Sequence, residues 1–467
     1  VSRSRAAQTA PVLSTSIIWT WASVGLPLAM IGYPVGIYLP DLYSGEMGIS
    51  LAAIGTMLML ARFSDAITDP AMGFASDQIE TRFGRRKPWI AAGVPVMLLG
   101  IWMLFNPTEG IDQWYLLVWY AVMTLGATLI GLPYRAWGAE LSTNYHTRTR
   151  ITSANEVFVI LGLIAAAAVP FGVTFLFPDG LSSAAVLTGI ALVLMLLLPF
   201  VTGLVLWKVP EVPIAARAKS VGLRKSLGFI SNNGLFRRLL VIELLIVGGE
   251  NFRNALSLFF MRDVIGIEVG RIAAMYILYF CVGLAAIPFW TALAKRWGKH
   301  RSLSTAMLVV SAVSIWIFLL DRGDFLSFYL LFAAKGFCFG AFAYLPRAMV
   351  ADVVDVDTAR TRSARPGSYF AVHGIVTKLA GAVGTGLSLI LAGWAGYVAQ
   401  KGGDAAGLVN GVTELRWLGV LYALVPTALF FVAFTFAWGY PLTQERQRRL
   451  ETAIHRRSER RAAKSIP

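Results

Sequence analysis

Cysteine and histidine are nearly missing from this 467-residue chain, which has two of the first and four of the second. Both cysteines, Cys281 and Cys338, fall inside apolar runs, so a disulfide framework or a zinc site is not expected. Charge is sparse as well. Only 14% of residues are charged, against about 25% in an ordinary soluble domain. The sequence also lacks the period-2 alternation of a membrane β-barrel. It has no nucleotide loop, metal cluster or activated nucleophile, and GRRKP (Gly84–Pro88) does not have the spacing of a phosphate-binding loop. An enzyme is therefore not expected, and no cofactor is implied.

What the chain has instead is apolar length: 57% of residues are hydrophobic. Twelve apolar runs approach or exceed the length of a membrane span. They cover 17–40, 49–76, 89–105, 114–141, 151–177, 184–207, 239–264, 268–294, 302–320, 325–352, 367–398 and 416–440. The first follows a basic VSRSRAAQT, but it is too long for a signal core and reads as a retained span.

The net charge is +15 and unevenly placed. The tails and alternate loops hold most of the Lys and Arg. The opposite loops hold only Arg262, Arg271, Arg322, Lys401 and Arg416. The positive-inside rule then predicts a multi-pass protein of the cell (inner) membrane with both termini cytoplasmic. The tail QERQRRLETAIHRRSERRAAK suits anionic headgroups, and no nucleic-acid partner is expected.

The longest basic loop, Lys208–Arg238, separates two sets of six runs that echo each other. RAWGAE (Arg135–Glu140) matches RAMVAD (Arg347–Asp352), and RTR (Arg148–Arg150) matches RTR (Arg360–Arg362). RFGRRK (Arg82–Lys87) matches RWGKHR (Arg296–Arg301). The expected fold is all-α: twelve transmembrane helices in two pseudo-symmetric six-helix halves of the major facilitator type. The implied domains are 1–207 and 239–440, joined by a middle loop, 208–238, and followed by a basic tail, 441–467.

Charges inside the runs need a reason, because each costs roughly 2.5–3.5 kcal/mol at the centre of a membrane helix. Arg62, Asp65 and Asp69 share one helical face. Two carboxylates one turn apart repel when both are ionised, and a cation or a proton between them relieves that repulsion. Thr68 offers a further oxygen. If sodium is the ion, Asp65 and Asp69 are its metal ligands. Other buried polar candidates are Arg135, Glu156, Glu243, Glu250, Arg253, Asn254, Lys335, His373 and Lys378. They are expected to line a solute site in the bundle interior, though internal ion pairs that lock helices are the competing reading. At the membrane face, Arg82, Arg85 and Arg86, turned by Gly84 and preceded by Asp77, are placed to pair with Glu140 or Asp352 as a cytoplasmic latch. Simple topology accounts for the same charges.

The stretch RFSDAITDPAMGF…TRFGRRKPW resembles the glycoside–pentoside–hexuronide:cation symporters of the major facilitator superfamily. Arg62, Asp65, Ala66, Asp69, Pro70 and Gly73 fit their second-helix pattern, and Lys87, Pro88 and Trp89 fit the loop after it. ADVVD (Ala351–Asp355) and Lys378 resemble the tenth and eleventh helices. The resemblance implies that Asp65, Asp69, Thr68 and Thr128 bind the coupling cation, H+ or Na+. It implies that Lys378 lies between cation and sugar.

The chain departs from that pattern at the sugar positions. No acid stands in GLPLAMIG, Gly131 replaces a third acid, Arg135 a tryptophan and Glu156 an arginine. The expected function is cation-coupled symport of a small polar solute, a glycoside or a related solute. A lysolipid transporter and a non-transporting sensing or assembly protein are the alternatives. The expected partners are the solute, the cation and the bilayer, with the chain acting as a monomer.

Overall fold

In this computed structural model the described residues are 14–79, 81–142, 145–174, 182–211, 233–361, 366–399 and 410–442. Apolar runs that must leave no backbone group unpaired in lipid have one local solution, the helix. Accordingly, the only β-pairing among the described residues is a single bridge, Thr81 to Gly84. In chain order the helices are α1 (Thr15–Ala22), α2 (Gly25–Ile37), α3 (Leu39–Asp41), α4 (Leu51–Gln78) and α5 (Lys87–Phe105). Then come α6 (Gln113–Glu140), α7 (Tyr145–Thr174), α8 (Ser183–Lys208), α9 (Gly234–Phe259) and α10 (Val269–Trp297). The chain continues with α11 (Lys299–Phe318), α12 (Phe325–Thr361), α13 (Pro366–Trp394), α14 (Val412–Gly419) and α15 (Val425–Trp438). Wider five-residue turns follow α3 (Leu42–Glu46) and separate α14 from α15 (Val420–Leu424), and a six-residue one follows α9 (Phe260–Ile265).

Eleven segments are long and apolar enough to cross a membrane, taking α1 with α2 and α14 with α15 as one each. The twelfth, α9, has the length but carries Arg237, Arg238, Glu243, Glu250 and Arg253. The chain is an all-α multi-pass membrane protein.

Capping fixes several helix starts. Asp112 accepts from the N–H groups of Trp114 and Tyr115 at the start of α6, and Asn233 does the same for α9. Ser182 caps α8, its hydroxyl accepting from the Ala185 N–H at 3.1 Å. Each cap satisfies donors that the first helical turn leaves without a partner.

The helices group into two compact units. The first is built on α1 to α8, except that Ser50–Met59 counts with the second, which is built on α9 to α15. Corresponding helices pack in each unit. In the first, α5 lies on α6 and α8, and α2 on α7. In the second, α11 lies on α12 and α15, and α9 on α13. The second unit's core joins Phe236, Leu239, Trp290, Met307, Cys338 and Leu345. Large apolar side chains such as Leu196, Phe200, Trp207, Leu326 and Trp394 point outward, as lipid-facing groups do.

Two boundaries differ from the sequence reading. The first run is broken at Ser23–Val24, where Pro27 has no N–H for the Ser23 carbonyl. Helix α12 runs on to Thr361 rather than ending near 352, because Asp352, Asp355 and Asp357 end the apolar run without ending the helix.

Candidate functional site

The face of α4 expected to carry coupling is assembled against α6. Asp65 is 4% exposed, and Asp69 is half-buried one turn further on. The Thr128 hydroxyl of α6 donates to Asp69 Oδ1 at 3.0 Å. The Thr68 Oγ1 is buried with no hydrogen-bond partner. Pro70, inside the helix, supplies no N–H to the carbonyl of residue 66. Carboxylates, hydroxyls and a carbonyl are hard oxygen donors, suited to a proton or a small hard cation.

Arg62 is divided between this pair and a tyrosine. Its Nε donates to the Tyr120 hydroxyl at 2.7 Å, and its guanidinium carbon lies 5.5 Å from the Tyr120 ring centre. The nearest approach to Asp65 is 3.9 Å, with the arginine side chain 37% exposed.

The GRRKP loop is held from two sides. Gly84 sits at φ +108°, a conformation glycine adopts without strain. A Cβ there would come within 2.4 Å of the Glu211 carboxylate. That carboxylate accepts the backbone N–H groups of Arg85, Arg86 and Lys87 at 2.7, 2.9 and 2.7 Å. It thereby serves as an anionic cap on α5. Glu140 Oε1 accepts from Arg85 at 2.6 Å and from Arg86 at 2.7 Å. Arg86 also donates to Ser76 Oγ at 3.0 Å. Arg82 is exposed and stacked on Phe83. The side chain of Asp77 lies outside the described residues.

The sequence echo has a structural counterpart in the second unit. Lys299, aligned with Arg85, pairs at 2.7 Å with Asp352, aligned with Glu140. Asp352 is thus held by its own half's lysine.

The remaining candidates separate into small groups. His373 of α13 meets Glu243 of α9 at 2.8 Å. Glu250 and Arg253, one turn apart on α9, are ion-paired, with Asn254 half-buried beside them. Lys378 is half-buried on α13, Glu156 is half-buried on α7, and Arg135 is exposed.

Sequence reasoning missed Tyr120, Glu211 and Tyr422, whose hydroxyl lies 3.2 Å from the Lys335 Nζ. Tyr120 and Tyr422 are aromatic residues in apolar runs, and nothing in their neighbours marks them as partners of a charge. Glu211 follows a proline in a loop, and its only signal is an acid standing among basic residues.

A family model described as MFS/sugar transport protein matches residues 21–444. The chain is similar to the glucuronide carrier protein homolog of Escherichia coli, with 21% identity over 431 residues, covering 90% of this chain and 91% of the relative. It is 22% identical to sodium-dependent lysophosphatidylcholine symporter 1 of Gallus gallus over 91% of this chain and 85% of the relative. A solved structure of a bacterial homolog to the human lysosomal transporter Spinster shares the fold with a TM-score of 0.67. Identity is 11%, with 92% of this chain and 98% of the other covered.

Proposed function

Since the chain belongs to the MFS/sugar transport protein family, and so is a secondary-active symporter of a small solute and not an enzyme, we propose that H+ or Na+ binding at Asp65 and Asp69 drives that transport. Within that family we place it with the glycoside–pentoside–hexuronide:cation symporters, moving a glycoside or a related small polar solute by alternating access. The observation that carries this reading is the orphaned Thr68 hydroxyl, beside an Asp69 already bonded to Thr128. A buried polar atom without a partner costs free energy unless something occupies its lone pairs. A cation bridging Asp65, Thr68 and Asp69 would satisfy it and remove the repulsion between the acids. Gly131, where the resembling family has a third acid, leaves fewer charged ligands and favours H+ as much as Na+.

In the first unit Arg135 and Glu156 are proposed solute contacts. In the second unit Glu250, Arg253, Asn254, His373 and Lys378 are. The Arg85–Arg86–Glu140 and Lys299–Asp352 pairs are proposed cytoplasmic latches. A membrane potential of 100 mV is worth about 2.3 kcal/mol per charge, or roughly fiftyfold accumulation. In vesicles with an imposed sodium or proton gradient and a panel of glycosides, the wild-type chain should concentrate its solute on that scale. Asp65→Asn or Asp69→Asn should bring the ratio to about one while the protein stays folded. Uphill accumulation by both variants would overturn the assignment.

The similarity to a lysophosphatidylcholine symporter supports a second reading, an amphiphile as cargo. Thermal midpoints with glycosides and with lysolipids discriminate, because a ligand that binds only the native state raises the midpoint.

A further inference from the structure

One buried charge in the second unit has no role in the coupling face of α4. Lys335 of α12 is 1% exposed. Its Nζ lies 3.2 Å from the Tyr422 hydroxyl, 4.7 Å from the centre of that ring and 5.7 Å from the centre of Phe332. The ion pair Glu250–Arg253 stands near it on α9, with Arg253 2% exposed. The charged and titratable groups around this cluster are Glu250 and Arg253 of α9, Tyr276 and Tyr279 of α10, Cys338 of α12 and Tyr422 of the turn before α15. Two cations therefore share one carboxylate. Arginine keeps its proton under all protein conditions, so the only cation here that can change its charge is Lys335.

Two further observations separate this cluster from a finished structural lock. First, Glu250 Oε1 and Arg253 Nη1 are both buried and lack hydrogen-bond partners. A buried pair that only holds helices together needs its remaining lone pairs and protons satisfied to recover its desolvation cost. Second, the helices here are pressed together. A Cβ on Gly336 would lie 2.6 Å from the Tyr279 carbonyl oxygen, and one on Gly340 would lie 2.5 Å from that of Gly283. Such packing favours the smallest possible guest. The residue 212 positions before Lys335 is Met123, so the charge belongs to one half only.

We propose that Lys335 is a proton-exchange site of the second unit, separate from the Asp65–Asp69 site. In the exchange an N–H bond at Nζ breaks and its electron pair stays on nitrogen. The proton goes to a water molecule, forming hydronium, when the cluster opens, and the return step is the reverse. Tyr422 holds the nitrogen in either state, as acceptor to the ammonium or as donor to the amine. The proposal rests on the chain being a transporter, and it stands whichever ion binds at Asp65 and Asp69.

The test needs no solute. Full-length protein in liposomes on a solid-supported membrane is given a pH jump at constant sodium, and the transient charge displacement is recorded. Because Asp65 and Asp69 also bind protons in the proposed mechanism, the measurement is made in the Asp65→Asn/Asp69→Asn background. There the transient should persist. Adding Lys335→Met or Lys335→Arg should remove it, since one variant is fixed neutral and the other fixed charged. Lys335→His should restore it with its midpoint moved toward the ordinary histidine value of about 6.5. A transient that survives unchanged in the Met and Arg variants, or one already absent from the aspartate double variant, overturns the proposal. If Lys335→Met fails to fold, judged by its thermal midpoint, the Arg and His variants decide alone. Failure of the coupling proposal is read separately, from solute accumulation in Asp65→Asn.

Discussion

Each unit carries charges that a membrane interior resists, and the two sets are opposite in sign. On α4, Asp65 and Asp69 accompany the single Arg62. In the Lys335 cluster of α9 and α12, Arg253 and Lys335 accompany one carboxylate, Glu250. Their bonding differs as well. Arg62 is partly exposed and turned to a tyrosine, 3.9 Å from the nearest carboxylate. Arg253 is fully enclosed and tied to Glu250. A face rich in acid whose own arginine is bonded to a tyrosine and only distantly paired is suited to receive a cation. A cluster rich in base, with its carboxylate already engaged, is suited to give up a proton. The two units have thus been charged in two ways.

Removing one arginine from each set tests that contrast most strongly. Arg253→Met leaves Glu250 buried without its counter-charge, and breaking a buried pair costs about 3–5 kcal/mol. Arg62→Met removes a side chain that is 37% exposed, where an ion pair is worth about 0–1 kcal/mol. Denaturant unfolding of the purified protein in detergent reads both. Equal losses would show that the two sets are held alike, and the contrast would fail.

The two basic loops offer a smaller version of the comparison. In the first unit Glu211 binds three backbone N–H groups, and Arg86 is 4% exposed in its pair with Glu140. In the second unit the corresponding pair uses Lys299, whose side chain is 33% exposed. Capping and charge-assisted bonds of the first kind are worth about 2 kcal/mol together. The half-wet pair is worth about 1 kcal/mol or less. Glu211→Gln should therefore lower stability more than Asp352→Asn in the same unfolding assay. The reverse order would mean that the three backbone bonds contribute little.

Sequence alone showed much of the fold and less of the site, for physical reasons that particular residues make plain. Lipid forces long apolar runs into helices, so most spans could be read directly. Arg237 and Arg238 hid the first turn of α9, and three aspartates hid the last turns of α12. Helical spacing placed Arg62, Asp65 and Asp69 on one face, because neighbours on a helix are a matter of arithmetic. It could not show that Arg62 turns to Tyr120, a residue 58 positions away. The repeat placed Lys299 and Asp352 opposite Arg85 and Glu140, since charge at a fixed offset survives when apolar detail does not. Glu211 has no such echo. Its partners are backbone N–H groups, which leave no mark in the side chains of a sequence.

A small effect is also the most direct probe of the arginine beside the coupling face. Tyr120→Phe removes the acceptor of the 2.7 Å bond from Arg62 Nε while keeping the ring over which the guanidinium lies. Hydrogen bonds to charged groups are worth about 1.5–3 kcal/mol, but an arginine one-third exposed recovers part of that from water. A net shift of about 1 kcal/mol remains. Released from the tyrosine, Arg62 has Asp65 within reach, 3.9 Å away, and would compete there with the incoming cation. Apparent cation affinity should fall roughly fivefold, because 1 kcal/mol is a factor of about five. The dependence of the thermal midpoint on sodium and on pH measures this. Arg62→Gln in the Tyr120→Phe background should then restore affinity, since the competing charge is gone. If Tyr120→Phe leaves cation affinity unchanged, the hydroxyl does not hold Arg62 away from the acids, and the first unit's arginine is as passive a partner as its exposure alone would make it.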